Sequence, residues 1–202
     1  MIPEKTHLDH RIIGGIIESA SSVLDLGCGT GELLEYLVRE KNAKVQGIEL
    51  NDEAIHRCVE KGLSVFHGDI DSGLSYYPDH AFDYVILNQS LQEVKGVDLV
   101  IREALRVGRR VIVGFPNFAH LTSRSLLFFG GKAPTTPALP HAWYSTPNLR
   151  FLSIADFKNY CRLRGFRVLD TFYLGKGKRV RILPNLFARN AIFLLEGKPA
   201  DS

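Results

Sequence analysis

Methionine is almost absent from this sequence, since Met1 is the only one among 202 residues. Cysteine is scarce too. Cys28, Cys58 and Cys161 are odd in number, widely spaced and form no CxxC pair, which argues against a disulfide framework and against a metal site of the zinc type. No apolar run approaches the roughly 18 residues of a membrane span, and the charged N-terminal stretch lacks the apolar core of a signal peptide. We therefore expect a cytoplasmic protein without a membrane partner.

Strong charge of either sign is also lacking, because 25 Lys and Arg stand against 22 Asp and Glu and the net charge is only +3. This balance does not by itself indicate a nucleic-acid partner. One basic cluster has no interleaved aromatic residues, so we interpret it as the solvated tip of a hairpin rather than a nucleic-acid site. Its members are Lys176, Lys178, Arg179 and Arg181. The length fits a single domain over residues 1–202.

The sequence does alternate short apolar runs with segments in which apolar residues recur at helical spacing. It predicts an α/β, Rossmann-like fold with a doubly wound, mostly parallel sheet and a final hairpin at the sheet edge. Strands are predicted at residues 21–26, 44–49, 63–67, 82–87, 109–115, 166–174 and 188–195. Helices are predicted at residues 10–19, 31–41, 52–61, 98–106 and 154–164.

An insertion at about 116–152 interrupts this alternation with five prolines and no clear period. It follows the fifth strand, where this kind of fold usually builds its substrate side, so we expect a functional loop that faces a partner or a substrate. His120, His141, Trp143 and Tyr144 are its candidate contact residues, and the two aromatic ones favour a protein interface.

A glycine-rich turn follows the first predicted strand. Residues 23–37 read VLDLGCGTGELLEYL, with Gly27, Gly29 and Gly31 at alternate positions before a helical pattern. A triphosphate loop would read GxxxxGK[ST], and no Lys-Ser or Lys-Thr closes this one. A dinucleotide site prefers GxGxxG, which is one residue wider. S-adenosylmethionine is the third candidate ligand.

Acidic residues at strand ends decide between these ligands. Asp25 stands two positions before Gly27, where a carboxylate repels a pyrophosphate but suits the ammonium group of S-adenosylmethionine. Glu49 ends the second strand, where a ribose-binding acid belongs, and Asp69 follows the third, where an acid can accept from the adenine amino group. The predicted cofactor-binding set is completed by Cys28, a small residue within the loop, and by Leu50 and Ile70 beside the two acids.

The end of the fourth strand, at NQSLQEV, is the place to look for catalytic groups. Asn88 and Gln89 are assigned to contacts with the methionine part of the ligand, with strand-end hydrogen bonding as an equal alternative. Glu93 is the one candidate base, although acids also favour the start of a helix.

The motif DLGCGTG resembles the first motif of the class I S-adenosylmethionine-dependent methyltransferases. Four stretches narrow this resemblance to the MetW family of methionine biosynthesis proteins: VLDLGCGTGELL, FDYVILNQSLQEV, LRVGRRVIVGFPNF and ALPHAWYSTPN. The similarity runs from about residue 12 to 195, and the last two stretches are specific to that family. It implies a sheet of seven strands with the last one antiparallel.

The resemblance also implies a function. Members of the family associate with homoserine O-acyltransferase and support its activity. With S-adenosylmethionine or S-adenosylhomocysteine bound, the protein would sense the output of the pathway, and a body without methionine suits synthesis when methionine is scarce. The alternative is an active methyltransferase on a small acceptor. The number of chains that assemble stays open, with a homodimer among the alternatives.

Overall fold

The computed structural model describes residues 8–196 and contains one seven-stranded sheet with helices on both faces. The strands are β1 (Ser22–Leu26), β2 (Lys44–Glu49), β3 (Val65–His67), β4 (Phe82–Asn88), β5 (Gly108–Pro116), β6 (Arg167–Leu174) and β7 (Asn190–Glu196). The helices are α1 (Leu8–Ile16), α2 (Glu32–Lys41), α3 (Asp52–Glu60), α4 (Val97–Val107), α5 (Leu121–Gly130), α6 (Ile154–Arg164) and the short α7 (Pro184–Phe187). The parts of the predicted domain at 1–7 and 197–202 lie outside the described residues.

The strands lie in the order β3-β2-β1-β4-β5-β7-β6. β1 to β5 pair in parallel, while β7 is antiparallel to both β5 and β6. The predicted fold, including the antiparallel last strand, is confirmed. The chain reverses its direction of travel across the sheet between β1 and β4, and ligands of such sheets bind at this switch point.

Strand register brings the predicted site residues to one edge. Asp25 lies opposite Gly47 in β2 and Ile86 in β4, close to the carboxyl end of all three strands. Glu49 and Asn88 end β2 and β4 at that same edge. Residues far apart in the sequence thus come together because parallel strands end on one side of a sheet.

The core has two halves, one on each face of the sheet, because successive side chains of a strand point to opposite faces. Leu24 and Val85 belong to the half that α4 and α6 cover. Val23 and Ile86 belong to the other half, which α1 and α2 cover. All four side chains are fully buried, which fixes the strands and so the positions of the loops that follow them.

The segment at 116–152 differs from the sequence prediction, because it contains the ten-residue helix α5. The apolar residues of α5 run consecutively from Leu126 to Phe129 instead of recurring at helical spacing, and Ser123 is its one buried residue. A second unpredicted helix, α7, lies in the connection between β6 and β7. Within residues 8–196, no helix is long and apolar enough to cross a membrane.

Candidate functional site

A cavity of about 620 Å³ opens at the carboxyl ends of β1, β2 and β4. Of the predicted cofactor-binding residues, all but Gly31 line the cavity, and so does the candidate base Glu93. Its wall is rich in carboxylates: Asp9, Asp25, Glu32, Glu49, Asp69, Asp71 and Glu93. Lys95 and His10 are its basic residues.

The glycine loop forms one wall of the cavity with left-handed backbone. Gly27 has a φ of +77°, which glycine adopts readily and other residues avoid. A Cβ at Gly27 would also lie 2.8 Å from the Cβ of Ser90, so the close approach of the two loops requires glycine. The N–H groups of Gly27 and Cys28 donate to the carbonyl of Ile48 at 2.8 and 3.2 Å, which ties the loop to β2.

Gly31 is the one glycine of the motif that lies outside the cavity wall. It precedes α2 with a φ of +75° and does not line the cavity. A Cβ there would lie 2.6 Å from Leu63 Cδ1 and 2.8 Å from Cys58 Sγ. Gly31 therefore allows α2 to pack closely against α3 and the turn that follows it.

Asp25 is a buried carboxylate at the base of the cavity. The residue is 3% exposed, and its Oδ1 is buried without a hydrogen-bond partner among the described residues. Burial, and secondly the nearby charge of Glu49, raise the pKa of Asp25 to about 7. Such a group gains from a cationic ligand, because a paired charge is far less costly to bury than an isolated one.

Glu49 is held by backbone donors at the opening of the same loop. Its Oε2 accepts from the N–H of Gly29 at 2.8 Å, and its Oε1 accepts from the N–H groups of Leu50 and Asn51 at 2.8 and 2.9 Å. These bonds fix the carboxylate over the glycine loop. A carboxylate oxygen has two lone pairs, so acceptor capacity remains for hydroxyl groups of a ligand.

Asp69 is exposed and begins the 3-10 turn Ile70–Ser72, where its Oδ1 accepts from the N–H of Asp71 at 2.9 Å. Asp69 and Ile70 thus line the cavity beyond Glu49, on the side of β3.

The chain after β4 forms the opposite wall. The Asn88 Nδ2 donates to Asp9 Oδ2 at 3.2 Å, while its Oδ1 is buried without a partner in the described part of the chain. Gln89 has a φ of +62°, which is strained for a residue with a side chain. Strained backbone of this kind clusters at functional sites, so the observation agrees with a ligand-facing role for this turn.

The family model described as methionine biosynthesis protein MetW matches residues 7–195 of the chain. The chain belongs to the MetW family. A relative from Rhodopirellula baltica, the bifunctional methionine biosynthesis protein MetXA/MetW, is 38% identical over 163 residues, which are 76% of this chain and 26% of the relative. The trans-aconitate 2-methyltransferase of Paracidovorax citrulli is 30% identical over 162 residues, which are 76% of this chain and 61% of that protein. The chain thus spans less than two thirds of the length of either relative.

Solved structures agree with the fold of this MetW-family chain. An S-adenosylmethionine-dependent methyltransferase from Mesorhizobium loti superposes with a TM-score of 0.68 at 14% identity, over 92% of this chain and 96% of that one. A second from Archaeoglobus fulgidus gives a TM-score of 0.67 at 17% identity, over 93% and 94%. At these identities the likeness shows the methyltransferase-like fold alone.

In the MetW-family chain, Glu93 is exposed and ends a 3-10 turn, Leu91–Glu93, four residues before α4 begins at Val97. Glu93 therefore does not begin the helix, although an acidic residue at this place in the sequence suggested that it would. Although the residue is exposed, desolvation of its carboxyl group at the cavity wall raises the pKa of Glu93, the charge of Glu49 raises it further, and the charge of His141 opposes the shift.

Sequence reasoning missed several residues of the site. Asp9 and Lys95 line the cavity, yet neither lies in a motif or at the end of a predicted strand. The Gln92 carbonyl accepts from the N–H groups of Leu149 and Arg150, both at 2.9 Å, which fastens the far end of the 116–152 segment to the turn after β4. Contacts between such distant residues leave no local signal.

Proposed function

We propose that this MetW-family protein binds S-adenosylmethionine and associates with homoserine O-acyltransferase, whose activity in methionine biosynthesis it supports. The observation that carries the ligand assignment is the Asp25 carboxylate, buried with an unpaired oxygen beside the glycine loop. A ligand with an ammonium group compensates that charge, and S-adenosylmethionine and S-adenosylhomocysteine both carry one.

The donor set fits the rest of this ligand. Asp25 would hold the ammonium, Glu49 the ribose hydroxyls and Asp69 the adenine amino group, while Gly27 and Gly29 let the backbone approach closely. Leu50 and Ile70, which follow the last two of these acids in the sequence, would supply apolar contact. When bound, S-adenosylmethionine carries a methyl group on a sulfonium, and Asn88 and Gln89 lie at the wall where the methionine part would extend.

The partner assignment has support from the Rhodopirellula baltica relative, whose name joins MetXA and MetW in one bifunctional protein. We take its MetXA portion to be the acyltransferase that the family resemblance implies. Fusion in one chain keeps two functional units at high effective concentration, which is useful when they act together.

A binding measurement tests the ligand. Asp25→Ala is expected to weaken S-adenosylmethionine binding by about 10–100-fold, because a hydrogen bond to a charged group contributes about 1.5–3 kcal/mol. Calorimetry with Glu60→Gln, which removes an exposed carboxylate on α3, provides the matched control. Equal affinity of wild type and Asp25→Ala would remove the assignment of the ammonium contact.

An activity measurement tests the partner. Homoserine O-acyltransferase from the same cell is assayed with and without this protein, each with and without S-adenosylmethionine. We expect the acyltransferase activity to increase when this protein is present. S-adenosylmethionine should change that increase when the protein is wild type, but not when it is Asp25→Ala. No effect in any of the four arms would rule out the supporting role.

Active methyl transfer is the second candidate function. Glu93 at the mouth of the cavity has a raised pKa, as suits a general base, and relatives of the chain include a protein named trans-aconitate 2-methyltransferase. Release of S-adenosylhomocysteine with a small hydroxyl-bearing acceptor, at a rate that Glu93→Gln lowers at least tenfold, would favour it, because a hydroxyl must lose a proton to accept the methyl group.

A further inference from the structure

A second surface of the molecule lies at the same edge of the sheet as the cavity, beyond β5. Pro116, which ends β5, pairs with Asn190, which begins β7, and Asn190 pairs with Leu174, which ends β6. The segments 116–152 and 175–189 therefore both leave the sheet at this edge. The cavity occupies the β1–β2–β4 part of the edge and these two segments occupy the β5–β7–β6 part.

The two segments are tied to each other. The Asn117 Nδ2 donates to the carbonyl of Asn185 at 3.1 Å and to that of Ala188 at 2.8 Å, and the Asn117 N–H donates to the carbonyl of Arg189 at 2.7 Å. Asn117 is itself 1% exposed, so it joins the start of the 116–152 segment to α7 in a buried position. We treat the exposed sides of both segments as one surface, the outer face.

The outer face exposes large apolar side chains. Phe128 and Phe129 on α5 are each 83% exposed, Trp143 and Tyr144 are each 76% exposed, and Ile182 beside α7 is 75% exposed. An amphipathic helix normally buries its apolar residues, whereas Ser123 is the one buried residue of α5. Large apolar side chains that are exposed in this number at one edge of a globular protein indicate an interaction site.

The charges of the outer face have one sign. Segments 116–152 and 175–189 contain no Asp or Glu and eight Lys and Arg. They are Arg124, Lys132, Arg150, Lys176, Lys178, Arg179, Arg181 and Arg189. Within residues 8–196, none of the eight forms a salt bridge, although eleven salt bridges exist elsewhere. The outer face therefore has cationic side chains without carboxylate partners in addition to its exposed apolar side chains.

We propose that the outer face docks a partner protein whose own surface has carboxylates around an apolar centre. The proposal rests on the proposed function, in which that partner is homoserine O-acyltransferase. Complementary charge at the rim steers association and fixes orientation, while buried aromatic side chains at the centre supply most of the binding energy.

Other occupants fit this surface less well. A second copy that presented the same face would bring eight cations against eight, because a two-fold interface joins identical patches. Single-stranded nucleic acid prefers aromatic residues on which bases stack, whereas the exposed side chains here include the aliphatic Leu127, Ile182 and Leu183. A carboxylate-bearing protein surface matches both the charge and the aliphatic content.

The test measures the affinity of the full chain for purified homoserine O-acyltransferase by biolayer interferometry at several salt concentrations. We expect Phe129→Ser to weaken binding at least tenfold, since an exposed anchor is lost without harm to the core. Tyr76→Ser is its control, because Tyr76 is 96% exposed and lies outside the outer face. We expect Lys178→Glu to weaken binding several-fold and to reduce the salt dependence of the affinity. Lys44→Glu is its control, because Lys44 is exposed and begins β2, at the end of the strand away from the cavity, so the affinity and its salt dependence should not change.

The outcomes separate this proposal from the proposed function. If wild type binds and all four variants bind equally well, the outer face is not the docking site, and the partner assignment stands. If wild type does not bind the acyltransferase at all, the proposed function fails. A dimer of this protein that Phe129→Ser dissociates, or tighter binding to a single-stranded oligonucleotide that Lys178→Glu abolishes, would also overturn the proposal. S-adenosylmethionine affinity serves as the check of folding, because neither substitution touches the cavity.

Discussion

Among single residues, Asp25 is the one at which folding and ligand binding make opposite demands. A carboxylate that is 3% exposed and has an unpaired oxygen costs stability in the folded chain. The same carboxylate is what a cationic ligand needs. Asp25 therefore lowers the stability of the unliganded protein, and a cationic ligand bound beside it would offset this loss.

The loss of folding stability caused by buried Asp25 increases as the pH rises. Since burial raises the pKa of Asp25 to about 7, the folded chain keeps a proton that the unfolded chain releases near pH 4. Folded stability thus falls as pH rises between about 4 and 7, in full by about 4 kcal/mol. We expect Asp25→Asn to be more stable than wild type, with an advantage that is larger at pH 8 than at pH 5. Urea unfolding at the two pH values measures it, and an advantage that does not change with pH would contradict the assignment.

Gly31 and Gly62 allow backbone strain and packing to be separated. Both have a positive φ, +75° and +72°, but a Cβ at Gly31 would clash with Leu63 and Cys58, whereas nothing lies within 4 Å of one at Gly62. We expect Gly62→Ala to lower the free energy of unfolding by about 1–2 kcal/mol, from the left-handed conformation alone. Gly31→Ala should cost a further 1–3 kcal/mol or so from overpacking. Equal losses in chemical denaturation would show that α2 and α3 adjust to the extra methyl group.

At the scale of elements, the turn after β4 connects the cavity with the outer face. Gln89 and Glu93 line the cavity, and between them the carbonyl of Gln92 holds the N–H groups of Leu149 and Arg150. The Arg150 guanidinium also donates to the carbonyl of Lys95 at 3.0 Å. A ligand that orders this turn would therefore act on the segment that presents Trp143 and Tyr144.

Hydrogen exchange tests this connection. All three of Leu149, Arg150 and Trp143 are exposed, but the Trp143 N–H has no acceptor within residues 8–196. The amides of Leu149 and Arg150 should therefore exchange at least about tenfold more slowly than that of Trp143. Protection of the first two amides should increase when S-adenosylmethionine is added. Equal rates for all three amides would show that the hydrogen bonds to Gln92 do not persist in solution.

The elements also show how far the sequence predicts this structure. The strand-end positions of Asp25 and Glu49 were predictable, because apolar runs locate buried strands and parallel strands end at one edge. The helix α5 was not, because it forms with its apolar side chains exposed and so has no amphipathic period. The contact of Asn88 with Asp9 joins residues 79 positions apart, and the hydrogen bonds from Leu149 and Arg150 to Gln92 join residues 57 and 58 positions apart. The sequence has no local signal for such contacts.

At the scale of the whole molecule, charge is separated along one edge of the sheet. Seven carboxylates line the cavity at one end, whereas the outer face at the other end has eight cations and no acid in its sequence. The small net charge of +3 therefore conceals two strongly charged regions. Such a distribution favours cationic ligands at one end and an acidic partner at the other.

The acidic cavity leads to a prediction about the form of the ligand. S-adenosylmethionine has a sulfonium charge that S-adenosylhomocysteine lacks, so the cavity should bind it about tenfold more tightly. At a hundredfold excess over its dissociation constant, it should stabilise the folded chain by about 2.7 kcal/mol and raise Tm by about 5–10 °C. Calorimetry and thermal unfolding with both ligands measure these effects. Tighter binding of S-adenosylhomocysteine would mean that the carboxylates are screened or protonated at the sulfonium.

The direction of β7 decides where the protein can be attached to a surface or a dye. Because β7 is antiparallel, it runs away from the cavity and ends at Glu196, which pairs with Arg110 and Arg167 near the amino ends of β5 and β6. A fluorophore or biotin attached at position 196 would thus lie on the side of the molecule opposite both binding regions. One attached at position 8, where α1 begins, would lie beside Asp9, which lines the cavity. Immobilisation through the C-terminal side should therefore leave ligand and partner free to bind at the same time.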